Sequence, residues 1–205
     1  MEAKPNKIMV GMPISKDQRC DVHTGMYLGI LATRADVTIN IAPTPSAEWG
    51  RNHIVKGGMK NPDITHFFFV DSDVRFPITA LDQLITQDKD IIAGVTPMYF
   101  DKHLQWSASL KMEGELYRWI PKDELPEKTF KCLGLGGTTI LIRREVFEAI
   151  GFPYYQMVYR EDLVKTEDVV LCERAKAAGY ELWCDPTIKC GHQQTNNLRD
   201  LFNLW

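Results

Sequence analysis

The first hundred residues alternate between short apolar runs and segments with helical spacing, and this alternation limits the chain to few folds. The apolar runs, each typical of a strand, are KIMVGMP (7–13), VTINIA (37–42), HFFFV (66–70) and DIIAGV (90–95). Between them, helical segments cover residues 23–35, 47–60 and 78–87. Strands that alternate with helices predict an α/β fold, with a mostly parallel sheet and helices on both faces. In such sheets ligands bind beyond the carboxyl ends of the strands.

The pattern changes after Pro97. Residues 104–121 alternate apolar and polar side chains and turn at Glu113-Gly114, which predicts an antiparallel hairpin in place of another parallel unit. Residues 130–151 then predict a strand, a glycine-rich turn, a second strand and a short helix that ends at Gly151. A small antiparallel portion is therefore expected beside the parallel sheet.

The last clear helix is TEDVVLCERAKAAG, with Thr166 as its candidate N-cap and Gly179 at its end. A final strand, YELWCDP, is predicted to end at Pro186. The sequence contains no repeat, low-complexity segment or linker, so we expect one domain over residues 1–205.

Composition and charge exclude some functions. The formal net charge is -3, so the basic surface that a nucleic-acid or anionic-lipid partner requires is not expected. No apolar run reaches the roughly 18 residues of a spanning helix, and the charged start MEAKPNK does not resemble a signal peptide. The sequence therefore predicts a cytoplasmic protein without a transmembrane segment.

The cysteines are five in number and include no C-x-x-C pair, which argues against a disulfide framework and favours buried free thiols. A zinc site from Cys184, Cys190 and His192 is conceivable, but the spacing of these residues fits no common zinc signature.

The most hydrophobic strand runs directly into Asp71, Ser72 and Asp73. If the extended backbone persists, the one-residue gap points both carboxylates to the same side, where they repel each other unless a cation lies between them. Mg²⁺ or Mn²⁺ carrying a diphosphate suits such a site. The alternative is an ordinary loop aspartate that caps the following helix, because D-x-D alone is common.

Two further polar features accompany this tripeptide. Glu167 and Asp168 open the last helix, where carboxylates also stabilise the helix dipole by about 0.3–1 kcal/mol without any chemistry. His192 follows a glycine after the last strand, and its alternative interpretation is a surface loop histidine.

Four motifs follow one another along the chain: FFFVDSDV, the G-x-G-G turn, TEDVVLCERAKAAGYELWCDP and CGH. Together, and in this order, they resemble GT-A fold glycosyltransferases, especially the family 2-like group. The resemblance covers about Lys7 to His192. It implies a GT-A, Rossmann-like fold in which the antiparallel portion lies on the acceptor side.

The resemblance also implies a metal site. Asp73 would coordinate a Mn²⁺ or Mg²⁺ ion that bridges the nucleotide diphosphate, and Asp71 would contact the ribose or share the metal. Ser72 belongs to the same donor-binding turn. His192 resembles a distal metal ligand that some members supply after the last strand.

Other matches concern the donor nucleotide. Pro13 and Ile14 match the segment that lies against the nucleotide base, and Arg51 with Asn52 matches an R-N pair on the nucleotide or diphosphate side.

On the acceptor side, Gly136 and Gly137 match a loop where absent side chains would let a sugar approach the backbone. An alternative is that these glycines only satisfy positive backbone dihedral angles. Asp168, with Glu167 beside it, matches the catalytic base.

The function implied is metal-dependent transfer of a sugar from a nucleotide-sugar donor to the hydroxyl of a glycan or other acceptor. Breaking the sugar–phosphate bond requires stabilisation of a departing diphosphate and a base for the attacking hydroxyl. Inversion is favoured, although retention stays open at this point. The alternatives are a nucleotidyltransferase that makes nucleotide-sugars and a non-catalytic nucleotide-sugar binding module.

Overall fold

The computed structural model describes residues 5–15, 19–100 and 103–193, so the predicted domain bounds of 1–205 extend beyond the described residues. The helices are α1 (Val22–Leu31), α2 (Ala47–Gly58), α3 (Ala80–Thr86), α4 (Arg144–Ile150) and α5 (Glu167–Ala177), with a 3-10 turn at Lys122–Glu124. The strands are β1 (Ile8–Ile14), β2 (Val37–Pro43), β3 (His66–Phe69), β4 (Val74–Arg75), β5 (Ile91–Val95), β6 (Pro97–Phe100), β7 (His103–Glu113), β8 (Leu116–Pro121), β9 (Phe130–Cys132), β10 (Gly134–Leu135), β11 (Ile140–Arg143), β12 (Val158–Arg160), β13 (Leu163–Lys165), β14 (Leu182–Lys189) and β15 (Gly191–His192).

The main sheet has seven strands in the order β2-β1-β3-β11-β5-β14-β9. β1 pairs in parallel with β2 and β3, and β5 pairs in parallel with β14. β11 is antiparallel to both of its neighbours, and β9 is antiparallel to β14. Five of the seven strands therefore point the same way, which confirms the mostly parallel α/β sheet.

Helices cover both faces of this sheet, as predicted, because its central strands are apolar on both sides. Phe67 and Phe69 pack into one core with residues of α2, α4 and α5. Phe68 points to the other face and packs with residues of α1 and α3. The alternation within one short strand thus connects two separate hydrophobic cores.

The predicted hairpin is formed by β7 and β8, and Gly114 at its turn has a φ of +59°. β6 and β10 complete an antiparallel sheet around β7. A second hairpin, β12–β13, precedes α5 and was not predicted, because its strands are only three residues long.

Two predictions differ from the structure. The final strand does not end at Pro186, because β14 continues to Lys189. The pairing of β14 with β5 is interrupted between Cys184 and Lys189, so the backbone N–H that Pro186 lacks is not needed for a hydrogen bond between the strands. All five cysteines are free, but Cys20 is exposed while the other four are buried.

No helix in the described part of the chain is long and apolar enough to cross a membrane.

Candidate active site

Several chain segments meet at one edge of the main sheet, where its parallel strands end. β3 leads into Asp71–Asp73, β5 leads into Pro97, and β14 leads to His192. Because β11 runs the opposite way, the segment that precedes it, Gly136–Thr139, also lies at this edge. The fold therefore gathers residues from four distant parts of the sequence.

Arg51 of α2 is almost fully buried and joins two of these segments. Its Nη2 donates to Asp71 Oδ1 at 2.6 Å and to the carbonyl oxygen of Gly137 at 3.2 Å. Its Nη1 donates to Glu167 Oε1 at 2.5 Å. The cation that partners Asp71 is thus a guanidinium, and we call Arg51, Asp71 and Glu167 the arginine cluster.

Burial and charge oppose each other in the arginine cluster. Burial raises the pKa of both Asp71 and Glu167, and the charge of Arg51 opposes this rise. For Arg51, burial is the largest single influence and lowers the pKa, but Asp71, Glu167 and other nearby groups together raise the pKa above its usual value, so the guanidinium stays charged. Arg51 also lies 5.8 Å from the centre of the buried Tyr155 ring. The guanidinium is therefore held on several sides.

The glycines of the turn make room for the protein's own side chains. A Cβ atom on Gly137 would lie 3.0 Å from Arg51 Cζ, and one on Gly136 would lie 2.9 Å from Ser107 Cβ. Neither glycine is among the residues with positive φ, which contradicts the dihedral explanation. The spaces left by their missing side chains border Arg51 and Ser107.

The two residues that follow these glycines fix the turn to its neighbours. The hydroxyl of Thr138 accepts the backbone N–H of Asp71 at 3.0 Å. Thr139 is fully buried with a φ of +51°, and its carbonyl oxygen accepts the N–H of Gly94. Positive φ is rare for a β-branched residue and is a form of strain concentrated at functional sites.

Asp168 lies at the start of α5, opposite the glycine turn. Its Oδ2 accepts the N–H of Gly137 at 3.1 Å, and its Oδ1 accepts the N–H of Val169 and the hydroxyl of Thr166. Thr166 occupies the predicted N-cap position, but its side chain caps no helix N–H. Within the described residues Asp168 makes no ion pair, in contrast to Glu167.

Asp73 and His192 form a second, more open pair. His192 Nε2 lies 3.7 Å from Asp73 Oδ2, and His192 Nδ1 lies 3.0 Å from the carbonyl oxygen of Pro97. The carbonyl can only accept, so Nδ1 carries the proton and Nε2 faces the carboxylate. The histidine lowers the pKa of Asp73, and the carboxylate raises the pKa of His192.

This pair suits a divalent ion that has further ligands from elsewhere. Among residues 5–15, 19–100 and 103–193, no three His, Cys, Asp or Glu side chains are arranged to hold a metal. Mg²⁺, however, is often bound by one or two protein ligands together with water and substrate phosphates, at about 2.1 Å. Neighbouring ligands of an octahedral ion lie about 3 Å apart. Asp73 Oδ2 lies 3.7 Å from His192 Nε2, so a small side-chain movement would let the pair share an ion. The donor set therefore fits, without Asp71.

Asp21 supports the same turn and was missed by the sequence analysis. Its backbone N–H donates to the carbonyl oxygen of Ser72 at 2.7 Å, and its carboxylate accepts the N–H groups of His23 and Thr24 at the start of α1. Its second oxygen accepts Gln193 Nε2 at 2.5 Å. The available signal was an aspartate directly before a helical segment, where an N-cap is expected.

Three other predicted donor residues belong to neither the arginine cluster nor the Asp73–His192 pair. The Asn52 amide is used structurally: its Oδ1 accepts the N–H groups of Tyr154 and Tyr155, and its Nδ2 donates to two carbonyl oxygens. Pro13 and Ile14 end β1 at the same sheet edge, where Gly50 of α2 lies against Pro13.

No family model and no curated protein sequence matches this chain. Solved structures do. The A197 protein from STIV superposes with a TM-score of 0.62 at 16% identity, over 92% of this chain and 86% of that one. GalNAc-T7, crystallised with UDP, GalNAc and Mn²⁺, superposes with a TM-score of 0.57 at 11% identity, over 93% of this chain but only 44% of that one. These likenesses establish a GT-A-like fold.

Proposed function

We propose that this chain is a metal-dependent glycosyltransferase that moves a sugar from a nucleotide-sugar donor to the hydroxyl of an acceptor, with inversion at the anomeric carbon. The observation that carries the proposal is the meeting of the Asp73–His192 pair and the Glu167–Asp168 carboxylates at one edge of a GT-A-like sheet. One pair would hold the ion that stabilises the leaving diphosphate, and the other would supply a base for the attacking hydroxyl.

On the donor side, Asp73 and His192 would hold Mn²⁺ or Mg²⁺. When bound, the ion supplies a positive charge that stabilises the departing diphosphate. The nearby charges favour a cation, since Asp71, Asp73, Glu167 and Asp168 all interact with Arg51, whose one positive charge offsets only part of theirs. The GalNAc-T7 structure with UDP and Mn²⁺ supports this choice of donor and metal by likeness of fold.

Donor recognition would begin with Pro13 and Ile14 against the nucleotide base, and Ser72 would border the ribose and diphosphate. Asp71 would act by holding Arg51, because its carboxylate is engaged at 2.6 Å.

On the acceptor side, Asp168 is the stronger candidate for the base. Glu167 is bound to Arg51, whereas Asp168 accepts only neutral N–H and O–H donors in the described part of the chain. An ionised carboxylate at a helix N-terminus is stabilised and can still accept a proton from an acceptor hydroxyl. An inverting displacement needs such a base opposite the leaving group.

The test is a thermal-shift screen of UDP, GDP and their sugar conjugates with and without Mn²⁺, followed by product analysis. A ligand that binds only the folded protein raises the free energy of unfolding, by about 2.7 kcal/mol at a hundredfold excess over Kd, and therefore raises the melting temperature. We expect a shift that needs both nucleotide and Mn²⁺, together with slow donor hydrolysis.

Two outcomes would favour other functions. Formation of a nucleotide-sugar from a nucleoside triphosphate and a sugar phosphate would indicate a nucleotidyltransferase. Metal-dependent binding with neither transfer nor hydrolysis for any donor would indicate a binding module.

A further inference from the structure

We propose that Asp21 is a positioning residue that holds the Asp73 turn and the His192 segment in register with each other. The inference deepens the proposed function, and its consequence for metal affinity rests on that function. Asp21 is nearly fully buried and lies on neither segment, so nothing in the D-S-D or C-G-H motifs points to it.

The first contact of Asp21 is with the turn. Its N–H donates to the carbonyl oxygen of Ser72 at 2.7 Å, and its Oδ2 accepts Arg75 Nη2 at 3.3 Å. Thr24, whose N–H is capped by Asp21, donates its hydroxyl to the carbonyl oxygen of Val74 at 2.5 Å. The start of α1 therefore holds both ends of the short segment that carries Asp73.

The second contact is with the segment after His192. Gln193 donates its Nε2 to Asp21 Oδ2 at 2.5 Å and its backbone N–H to the carbonyl oxygen of Asp73 at 2.9 Å. One buried carboxylate oxygen thus receives donors from both segments, Arg75 from one and Gln193 from the other.

The two segments need this support because their direct pairing is minimal. β4 and β15 are each two residues long and form one small antiparallel ladder, with His192 opposite Val74. An isolated two-stranded ribbon of this length is not stable on its own. The 3.7 Å separation of Asp73 and His192 therefore depends on a buried anchor beneath them.

The decisive variant is Asp21→Asn. Asparagine caps a helix as well as aspartate does, so the start of α1 is retained. The amide cannot, however, accept both Arg75 and Gln193 as the carboxylate does, because one of its groups is itself a donor. Ser46→Ala is the matched control, since it removes the cap of α2, where Ser46 accepts the N–H of Trp49, and leaves the turn untouched.

Two measurements are made on each variant of the whole chain. Hydrogen exchange of the Val74 and Gln193 amides reports the register without any metal, and calorimetry with MnCl₂ reports affinity for the ion alone. For Asp21→Asn we expect both amides to exchange about tenfold faster and Mn²⁺ to bind about tenfold more weakly, the range seen when a partner of a metal ligand is lost. Ser46→Ala should change neither.

Unchanged exchange at both amides in Asp21→Asn would overturn the inference, as would equal exchange increases in Ser46→Ala. If Asp21→Asn does not fold, Gln193→Leu removes the same link from the exposed side and should show the same two changes at smaller size. Absence of Mn²⁺ binding by the unaltered protein would instead refute the proposed metal site, and the exchange data would still decide the role of Asp21.

Discussion

Asp71 and Asp73 are two residues apart in one turn, yet they occupy opposite environments. The Asp71 side chain is 29% exposed and bound to a buried guanidinium, and burial raises its pKa. The Asp73 side chain is 53% exposed and faces a histidine that lowers its pKa. Within one D-x-D turn, therefore, one carboxylate binds a buried guanidinium, while the other is more exposed and pairs with a histidine.

The same division extends to the regions around them. The arginine cluster is an internal ion network that joins α2, the turn and α5, so its loss should reduce stability. The Asp73–His192 pair contributes little packing, so its loss should reduce binding and activity instead. Four predictions test this contrast, and they are ordered by the free energy expected to be lost.

The largest effect is expected for Asp73→Ala. Removing a metal ligand should cost about 4 kcal/mol of transition-state stabilisation, or about a 1000-fold loss of transfer rate, because several kcal/mol come from the metal charge. The melting temperature should stay near that of the unaltered protein. Asp82→Ala, at a surface ion pair with Arg34, is the control. If Asp73→Ala still binds nucleotide in a Mn²⁺-dependent manner and as tightly as the unaltered protein, Asp73 is not a metal ligand and the contrast with Asp71 does not hold.

The second effect concerns stability. Arg51→Met leaves Asp71 and Glu167 without their cation and should lower the free energy of unfolding by about 3 kcal/mol, measured by urea denaturation. Adding Asp71→Asn and Glu167→Gln to this variant removes the uncompensated charges and should recover much of the loss. If the free energy of unfolding of Arg51→Met equals that of the unaltered protein, the arginine cluster does not contribute to stability.

Asp168→Asn should cost about 2.7 kcal/mol, a 100-fold loss in kcat, with donor KM unchanged, because an amide cannot take the acceptor proton. Glu167→Gln should retain more activity and lose more stability, since Glu167 belongs to the arginine cluster. Steady-state kinetics and the anomeric configuration of the product provide the measurement. A product that retains the donor configuration would remove Asp168 from the role of base.

The smallest effect is expected for Gly137→Ala, at about 1.5 kcal/mol of stability, because the added methyl group meets a guanidinium that two carboxylates hold in place. Gly57→Ala on α2 is the matched control: its Cβ would approach only Asn40 Nδ2, at 3.6 Å, so it should be neutral or stabilising. Combining Gly137→Ala with Arg51→Met should abolish the extra cost, since the obstructing group is gone. Equal costs in both Arg51 backgrounds would contradict this explanation.

Local patterns predicted the helices, the parallel strands and the long hairpin. Ser46, for example, directly precedes the predicted helical segment 47–60 and caps α2 by accepting the N–H of Trp49. The edge at which strands end also follows from the alternation of elements, so the meeting of Asp73 with residues near His192 could be anticipated. These features depend on periodicity and capping, which a sequence shows directly.

The ion partners could not be predicted in the same way. Whether Asp71 faces a metal or Arg51 depends on how far α2 is rotated over the sheet, and no local pattern in the sequence gives that rotation. The space left by Gly137 is likewise occupied by a residue 86 positions earlier in the chain. The end of the last strand was predicted wrongly at Pro186. A proline usually ends a strand, but β14 accommodates it because the pairing with β5 is interrupted at this point.

The reversed central strand β11 has a consequence for how the molecule assembles during synthesis. It lies between β3 and β5, although both of these strands are made much earlier. Until residues 140–143 have emerged, the apolar edge of β3 has no neighbour on that side and remains open to pairing with other chains. The first hundred residues therefore cannot complete their own sheet, and the edge where the proposed chemistry occurs is among the last parts of the molecule to form.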